Sequence, residues 1–472
     1  MNPPFVASAE RFAAEHGRSL AFRLLGLLTR CQGPDLELVV KKTYCASIPE
    51  NTYATPENPW KTRLGILLLP LAWLSGKSVL WRPLPPVDVC LEVPDSDYFE
   101  AHLEELFCLL SGSKRVAPMT GGPGPGVEWT APAQSSVRLR DCLLLLLAAP
   151  VLLPALWALQ RASGVPLLQA FRQALSIYAV YRGFFGRYPC RRFITIHDDS
   201  NHPCRHLAFR QSGGEELVVI QNGERIAHPH FSFGSMDRYF VFGKAHEQLL
   251  RSLGVRASAF VHCGALFLDA RFRGLDSERV KFEPRLYDVL FVDQGVYPFE
   301  GFNERSGRSI EKVLANLAAF KGRHPERRVA YQLRAYTGTA THRLQKEAVL
   351  SVLGKLFGKS ISILDNDGKG ASYRNVLRSE LVMTFESSLG FEALRLGVKA
   401  LFVNYSGDPA ETVCEDERFQ LMDDAADFGR FEAKVLGLLA FKLDAAPQAA
   451  LERNAAMDGR FAQRVSAAIN AG

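Results

Sequence analysis

A polar turn that follows an apolar run is the segment of this chain best suited to hold a phosphate. In LVMTFESSLGFEALRLG, residues 381–397, the turn carries Ser387 and Ser388, and a helix follows. Hydroxyl groups and free backbone N–H groups at a helix N-terminus favour a phosphate, because the helix dipole is positive there. Gly390 lies in the same stretch, and we place Glu392 in the first helical turn, where its carboxylate can accept two hydrogen bonds from a ribose diol. The alternative is a capped helix in which Glu392 only complements the dipole.

Acidic side chains follow another apolar run, 193–196, in the string TIHDDSNHPCRH. A carboxylate at this place, Asp198 or Asp199, can act as a general base toward an acceptor hydroxyl or as a nucleophile toward an anomeric carbon. Asp and Asn after a strand are also common turn and N-cap residues, and His202 followed by Pro203 can begin a helix. A catalytic and a structural role therefore both stay open for this string.

The loop after the apolar run at 217–220 offers further polar groups. Gly223 permits a tight turn at the carboxyl end of a strand, and Arg225 can pair with a phosphate or a carboxylate. Two histidines on the same loop are acid/base candidates. We predict that one of them, His228, is catalytic together with Asp198 and Asp199. The residues of this loop with a predicted role are Gln221, Asn222, Gly223, Arg225, His228 and His230.

The metal-binding patterns are weaker than these. The string DND at 365–367 resembles an Asp-x-Asp metal motif, but DNDG directly after a strand is also a strong turn signal. Four potential zinc ligands have a spacing that fits no standard zinc site: His197, His202, Cys204 and His206. We therefore predict no metal and no other cofactor. Four more side chains are candidates to line a cleft: Arg334, Lys369, Tyr373 and Arg374.

The elements that must position these residues are predicted from hydrophobic periodicity. From about residue 190, short β-branched or apolar runs alternate with amphipathic helices, which is typical of βαβ units and a parallel sheet. Ligands of such sheets bind outside the carboxyl ends of the strands, which is where the candidate residues fall. The pattern predicts strands at 193–196, 217–220, 238–242, 259–262, 287–292, 328–333, 360–364, 381–385 and 400–404. It predicts helices at 244–253, 308–322, 342–357, 372–379, 390–396 and 430–441, and a linker at 270–286.

The first 190 residues have a different pattern. A Gly- and Pro-rich stretch at 116–136 predicts a loop. The apolar run 142–159 contains Pro150 and Pro154, and arginines and aromatic residues flank it as far as residue 192. Basic and aromatic residues beside an apolar segment suit a membrane surface with anionic headgroups, so 142–192 is the predicted contact surface. A buried helix or hairpin, monotopic insertion and a true span all stay open for the apolar run.

The composition excludes several classes of protein. The chain has 472 residues, 47% of them apolar and 22% charged, which is ordinary for a globular protein of two or three domains. A formal net charge of +6 is compatible with an anionic small ligand or anionic lipid, but it lacks the clustered excess of a nucleic-acid binder. The nine cysteines never have C-x-x-C spacing, so we expect reduced thiols in a cytosolic protein. The start, MNPPFVASAE, lacks the layout of a signal peptide.

The segment SELVMTFESSLGFEALRLGVKALFV at 379–403 resembles the donor-binding segment of GT-B glycosyltransferases. The resemblance is to transferases of bacterial surface-polysaccharide biosynthesis, capsular or lipopolysaccharide, of the Kdo or sialyl type and the CDP-glycerol type. In that family the turn holds the phosphates of the nucleotide and the glutamate holds the ribose, so the resemblance implies these roles here. The matching residues are Ser379, Ser387, Ser388, Gly390, Glu392 and Gly397.

A second segment, 218–269, is similar to the signature of the N-terminal domain of the same family. It has a strand that ends in Gln-x-Gly, a later Asp-Arg-Tyr strand with a glycine turn, a helix, and a strand that ends in glycine. Asn222 stands where the family usually has a histidine. The matching residues are Gln221, Asn222, Gly223, Arg225, Gly243 and Gly264.

The resemblance implies an α/β fold of the GT-B type. Two Rossmann-like parallel-sheet domains would face a cleft, and a helical apolar extension would precede them. The predicted domains are an acceptor-side domain at 1–285, a nucleotide-sugar-binding domain at 286–440 and a C-terminal helix at 441–472. About the first 190 residues of the acceptor-side domain would form the membrane-facing extension.

The resemblance also implies an enzyme, a metal-independent glycosyltransferase. It would move a sugar from a nucleotide-sugar donor to a glycan or lipid-linked acceptor, as a peripheral or monotopic protein at the cytoplasmic face of the inner membrane. The alternatives are a nucleotide-sugar epimerase or hydrolase of the same fold, and a non-catalytic component of polysaccharide assembly. The predicted catalytic residues are Asp198, Asp199 and His228, and the predicted donor-binding residues are Ser387, Ser388, Gly390, Glu392, Arg334 and Tyr373.

Overall fold

A computed structural model of the chain describes most of its residues and two sheets, each with helices packed against it. The described residues are 3–48, 69–70, 83, 85–92, 103–111, 116–119, 137–198, 201–266, 285–293, 304–334, 340–366, 370–385, 387–406, 414, 416–422, 427–453, 455–456 and 459–471.

The first sheet has six strands, all parallel to their neighbours. They are β1 (Val87–Glu92), β2 (Val116–Met119), β3 (Cys190–Thr195), β4 (Glu216–Ile220), β5 (Ser235–Val241) and β6 (Arg256–His262). Their order is β2-β1-β3-β4-β5-β6, and Glu92 at the end of β1 pairs with Thr195 at the end of β3. Because the strand order reverses between β1 and β3, the carboxyl ends of these two strands border a crevice suited to a ligand.

The second sheet also has six parallel strands. They are β7 (Tyr287–Val292), β8 (Val329–Gln332), β9 (Ser362–Leu364), β10 (Ser379–Thr384), β11 (Lys399–Asn404) and β12 (Gln420–Met422). Their order is β12-β11-β10-β7-β8-β9, which is the strand order of the dinucleotide-binding Rossmann fold. The order reverses between β7 and β10, so the carboxyl ends of these strands are the expected ligand site of this sheet.

Helices connect the strands and cover both sheets. Those before β3 are α1 (Pro4–His16), α2 (Leu20–Thr29), α3 (Gly33–Cys45), α4 (Glu104–Ser111), α5 (Leu139–Ser163) and α6 (Leu168–Arg187). Those up to β10 are α7 (Pro203–Arg210), α8 (Lys244–Ser252), α9 (Glu304–Arg323), α10 (Ala340–Phe357) and α11 (Ala371–Leu377). The last four are α12 (Ser388–Arg395), α13 (Phe428–Ala440), α14 (Gln448–Arg453) and α15 (Phe461–Asn470).

The nine predicted strands and the six predicted helices are confirmed, with ends that differ by a few residues. The predicted loop at 116–136 is wrong at 116–119, which forms β2. The rest of that loop lies outside the described residues, and so does most of the predicted linker at 270–286. Neither β1 nor β12 is among the predicted strands.

The N-terminal helices share one core with the first sheet. Buried side chains of α1, α2, α3, α5 and α6 form a single apolar cluster with those of β3, β4 and β5. Within it the rings of Phe22 and Phe171 lie 4.8 Å apart, and those of Phe185 and Phe193 lie 4.9 Å apart. The predicted extension is therefore built onto the first sheet and supplies two of its strands, while the predicted domain bounds stay a prediction.

The C-terminal segment returns to the first sheet. Phe461 and Val465 of α15 are buried in a cluster with Ile194 of β3. The backbone before α15 passes close to two glycines that the resemblance singled out, since a Cβ on Gly243 or Gly264 would overlap the carbonyl oxygen of residue 452 or 456. These glycines make room for a chain crossing, and Gly264 also has a positive φ of 79° that favours glycine.

Candidate functional site

The turn after β10 lies at the strand-order reversal of the second sheet. Ser387 is the N-cap of α12, because its hydroxyl oxygen accepts a hydrogen bond from the Leu389 N–H at 3.3 Å. The Ser387 carbonyl accepts from the Gly390 N–H at 3.0 Å. Within the described part of the chain, the N–H and the hydroxyl of Ser388 have no hydrogen-bond partner. The capped helix is thus confirmed, and Ser388 keeps two donors that can serve a ligand.

Gly390 has a packing role in this turn. A Cβ at this position would lie 2.6 Å from the Phe402 ring of β11 and 3.0 Å from the Thr384 side chain of β10. Contacts that short do not occur in folded proteins, so glycine is what lets α12 lie close to the sheet. The predicted part of Gly390 in donor binding stays a prediction, since this packing accounts for the residue without a ligand.

Glu392 lies deeper than the sequence predicts. Since α12 begins at Ser388, Glu392 falls in the second helical turn, and the prediction of the first turn is wrong. Its side chain is buried, and the Tyr373 hydroxyl donates a hydrogen bond of 2.6 Å to its Oε2. The structure thus brings two predicted donor-binding residues together, with the carboxylate oriented by a phenol on α11.

The remaining polar residues of the second sheet surround the ends of β8 and β9. Arg334 follows β8 and is exposed. The buried Gln332 side chain donates to the carbonyl of Asp365 at 3.2 Å and so fixes the loop after β9. The Asp365 carboxylate pairs with Lys346 at 2.5 Å and is largely exposed. Asp367 and Lys369 lie outside the described residues.

The carboxyl ends of the first sheet hold a buried ion pair. The Arg225 Nε donates to Asp198 Oδ2 at 2.8 Å, and its Nη2 donates to Oδ1. The Tyr239 hydroxyl donates to Asp198 Oδ2 at 3.0 Å, and the Asn222 N–H donates to Oδ1 at 3.3 Å. The structure therefore brings three predicted residues together, with Asp198 as the anchor of the loop after β4. Its predicted catalytic role stays a prediction, and Asp199 lies outside the described residues.

Two more residues of that loop have structural contacts. The Gln221 side chain donates to the Gly223 carbonyl at 2.8 Å and accepts from the Phe242 N–H at 2.9 Å, so it ties the loop to β5. The Nδ1 of His228 accepts a hydrogen bond from the His230 N–H at 3.1 Å. In neutral His228 the proton therefore lies on Nε2, and the ring can donate a hydrogen bond from that side.

A lysine far away in the sequence fixes the end of the same loop. The Lys42 ammonium group on α3 donates to the carbonyls of His230 at 2.6 Å and of Ser232 at 2.9 Å. Burial lowers the pKa of Lys42 to about 8, so the group is still largely charged at neutral pH. Sequence reasoning missed Lys42 because nothing in its neighbourhood signals a contact with a loop nearly two hundred positions later.

Sequence reasoning also missed a polar cluster at the strand-order reversal of the first sheet. The buried Glu92 at the end of β1 accepts from the Tyr181 hydroxyl at 3.1 Å and lies 3.7 Å from the Arg205 guanidinium. Arg205, also buried, lies 3.5 Å from the Thr195 hydroxyl. An acidic residue that ends an apolar run, as Glu92 does in VDVCLE, was the available signal.

The four histidine and cysteine residues at 197–206 do not form a zinc site. His202 is the N-cap of α7, and its Nδ1 accepts from the Cys204 N–H at 3.2 Å. His206 contacts Ser235 and Asp237 on β5. No group of three or more potential metal ligands occurs among the described residues.

The buried His202 makes stability depend on pH. Burial, with help from Lys42 and Arg205, lowers its pKa from 6.5 to about 3. Between these two values the unfolded chain binds a proton at this site and the folded protein does not, so the free energy of unfolding falls as the pH falls below 6.5. The fall is about 1.4 kcal/mol per pH unit.

We expect His202→Asn to remove this dependence, because Asn is a good N-cap and does not titrate. Urea unfolding at pH 7 and pH 5 should show that the wild-type protein loses about 2 kcal/mol more than the variant does. Equal losses in both proteins would show that His202 binds its proton with a normal pKa.

Comparisons with known proteins agree with this architecture. No protein-family model matches the chain, and no curated protein matches it. The solved structure of S. aureus MnaA with UDP is 10% identical and has a TM-score of 0.50, with 82% of this chain and 96% of that chain covered.

Two further solved structures are similar at lower TM-scores. The Neisseria meningitidis UDP-GlcNAc 2-epimerase bound to UDP-GlcNAc is 10% identical, with a TM-score of 0.48 and coverage of 81% of this chain and 100% of that chain. The wall teichoic acid polymerase TagF is 10% identical, with a TM-score of 0.41 and coverage of 87% and 93%. At such identities a likeness concerns the fold alone. The two six-stranded parallel sheets, together with the likeness to the S. aureus structure, confirm the predicted fold class, α/β of the GT-B type with two Rossmann-like parallel sheets.

Proposed function

We propose that the chain is a GT-B-type glycosyltransferase that moves a sugar from a nucleotide-sugar donor to an acceptor of a bacterial surface polysaccharide. The observation that carries the proposal is the pair of unpartnered donors on Ser388 at the N-terminus of α12. They lie at the strand-order reversal of the second sheet, where ligands of such sheets bind. A phosphate there meets two hydrogen-bond donors and the positive end of the helix dipole.

The donor side then has two parts. Ser388 receives the phosphate of the nucleotide, and Glu392, held by Tyr373, receives the ribose. A charged acceptor oriented by a phenol loses little side-chain entropy when it binds a diol, because it is already fixed. Arg334 is exposed near the end of β8 and supplies positive charge for the leaving phosphate.

The acceptor side is formed by the loops after β3 and β4. The Asp198 carboxylate is fully engaged by Arg225 and Tyr239, so in this proposal it positions the loop. Asp199 is the proposed general base for the acceptor hydroxyl. His228 with its proton on Nε2 is suited to donate a hydrogen bond to the departing phosphate.

The function is tested by incubating the purified protein with a panel of nucleotide sugars, with and without membranes that contain polysaccharide acceptors. We expect one nucleotide sugar to lose its sugar to the acceptor, with nucleotide released in equal amount. Conversion of the sugar without an acceptor would favour the epimerase or hydrolase. Failure to bind any nucleotide would favour a non-catalytic component of polysaccharide assembly.

The phosphate role of Ser388 has a sharp test, because Ser388 is the first helical residue. Pro is well tolerated at this position and removes both donors, and Ser387 already has the extended backbone (φ −69°, ψ 137°) that a following Pro requires. We expect Ser388→Ala to weaken nucleotide binding about tenfold and Ser388→Pro about a hundredfold, since a hydrogen bond to a charged group contributes about 1.5–3 kcal/mol.

Isothermal titration with the nucleotide and with its free nucleoside measures both effects. Nucleoside affinity should not change, because the nucleoside has no phosphate. Ser252→Ala, which removes a hydroxyl bonded to the Leu249 carbonyl on α8, is the matched control. If Ser388→Pro binds nucleotide as the wild type does while it melts at the same temperature, the phosphate lies elsewhere.

A further inference from the structure

Helix α5 has two apolar faces, and only one of them is buried. The inner face packs into the core of the first sheet through Cys142, Leu145, Ala149, Leu152, Leu156 and Leu159. The outer face exposes Leu139, Leu143, Leu147, Val151 and Trp157, with Leu147 77% exposed. A helix on the surface of a soluble protein normally has a polar outer face, so this one departs from the usual pattern.

The neighbouring helix α2 also exposes apolar side chains. α2 packs against α5, and it exposes Leu20 and Leu27, of which Leu27 is 72% exposed. Arg23 on α2 and Arg30, which directly follows this helix, are also exposed. Two adjacent helices therefore present leucines together with arginines to the outside.

Basic side chains border the outer face of α5 at both ends. Arg138 and Arg140 lie at its beginning, and Arg161 near its end stacks on Trp157 with 4.1 Å between guanidinium carbon and ring centroid. The one acidic residue of α5 is Asp141, which is partly buried. An apolar strip bordered by arginines is complementary to the acyl chains and the phosphates of an anionic bilayer.

The buried inner face of α5 favours contact along the membrane surface over a transmembrane orientation. At 25 residues the helix is long and apolar enough to cross a bilayer, but a third of its most apolar window is already buried in the protein. A span would pull those side chains out of a core that they share with α2 and α6. Contact along the outer face leaves the core intact.

We propose that α5 lies in the plane of an anionic membrane surface, with its outer face among the lipids and with α2 beside it. This surface leaves out the part of the predicted surface 142–192 that α6 and the residues after it form, and it adds α2 and the beginning of α5. Tyr178, Phe184 and Phe185 on α6 are buried, while Arg191 and Arg192 are paired with Glu215 and Glu216.

Vesicle sedimentation tests this surface with full-length protein and vesicles of phosphatidylcholine, with or without 30% anionic phosphatidylglycerol. We expect the wild type to sediment with the anionic vesicles. Replacing Leu143, Leu147 and Val151 by Gln should lower the partition coefficient at least about a hundredfold. Replacing Arg138, Arg140 and Arg161 by Gln should lower it about tenfold or more for anionic vesicles and leave neutral ones unaffected.

A matched control removes exposed apolar side chains from α10 and β9, which belong to the second sheet and its helices. Leu344, Leu356 and Ile363 are exposed on or near α10, and their replacement by Gln should leave vesicle binding unchanged. Equal melting temperatures of all variants show that the fold is kept. Wild-type protein that stays in the supernatant with both lipids, or a Gln variant of α5 that binds as the wild type does, would overturn the proposal.

The depth of α5 has its own readout in Trp157, which is 45% exposed. We expect lipids brominated on the acyl chain to quench a part of the tryptophan fluorescence that is missing in Trp157→Phe. Equal quenching in both proteins would contradict insertion of this face. A concentration-dependent dimer that the α5 Gln variant abolishes, with no vesicle binding, would assign the face to self-association instead.

Discussion

We expect an Arg225→Met variant to unfold at a much lower urea concentration than the wild-type protein, with a loss of about 3–5 kcal/mol in the free energy of unfolding. The Asp198 carboxylate has no solvent exposure, and the guanidinium holds it through both Nε and Nη2. Methionine fills much of the same volume but removes this positive charge from beside a buried carboxylate. The Tyr239 hydroxyl and the Asn222 N–H, which also donate to Asp198, carry no full positive charge.

Two further variants separate this ion pair from other effects. Asp198→Leu combined with Arg225→Met removes both charges, and it should recover much of the lost stability, because a buried pair is often replaceable by apolar residues. Arg191→Met breaks an exposed ion pair with Glu215 and should leave the unfolding midpoint unchanged. An Arg225→Met midpoint equal to that of Arg191→Met would show that the buried pair does not stabilise the protein.

The same ion pair shows the limit of predicting a role from residue type. A carboxylate directly after a strand predicts a general base, and the strand was predicted correctly. The partner that occupies this carboxylate, Arg225, lies 27 positions later, and no local pattern connects the two. A residue's charge is visible in the sequence, but whether another residue has already neutralised it depends on tertiary contacts.

Periodicity predicted most strands because parallel strands buried on both faces appear as short apolar runs. β1 was missed because Asp88 and Glu92 interrupt its run, and burial of Glu92 depends on Tyr181 and Arg205, which come from distant helices. β2 was missed because Pro118 predicts a loop. Among the described strands β2 lies at the edge of its sheet, where Pro costs less because only one side of the strand is paired there.

The donor segment was the most predictable part of the site, because its features are local. A polar turn and a helix start follow from neighbouring residues, and the capped helix is confirmed, with Ser387 as its N-cap. The helical turn in which Glu392 lies, and therefore its burial, was not predictable from the sequence. The helix begins at Ser388, two residues before the predicted start at 390, and each residue rotates the side chain by about 100° around the helix axis.

Substitution of Glu392 is expected to have the second large effect. A loss of ribose selectivity would show that Glu392 binds the ribose and does not only hold α12 against α11. If the carboxylate binds the ribose diol, the wild-type protein should bind a ribonucleotide about 10–100-fold more tightly than the 2′,3′-dideoxy analogue, since a charge-assisted hydrogen bond contributes about 1.5–3 kcal/mol. Glu392→Gln should bind both nucleotides with the weaker affinity. Its amide oxygen still accepts from Tyr373, so the fold is kept.

Tyr373→Phe is the matched control, because it removes the 2.6 Å hydrogen bond and leaves the carboxylate in place. We expect this variant to lose about 1 kcal/mol or more of stability and to remain selective for the ribonucleotide. Glu392→Gln therefore tests ribose binding, and Tyr373→Phe tests the contribution of the hydrogen bond to the packing of α12. If Glu392→Gln keeps the full preference of the wild type, Glu392 serves the packing of α12 against α11, and the ribose is bound by other residues.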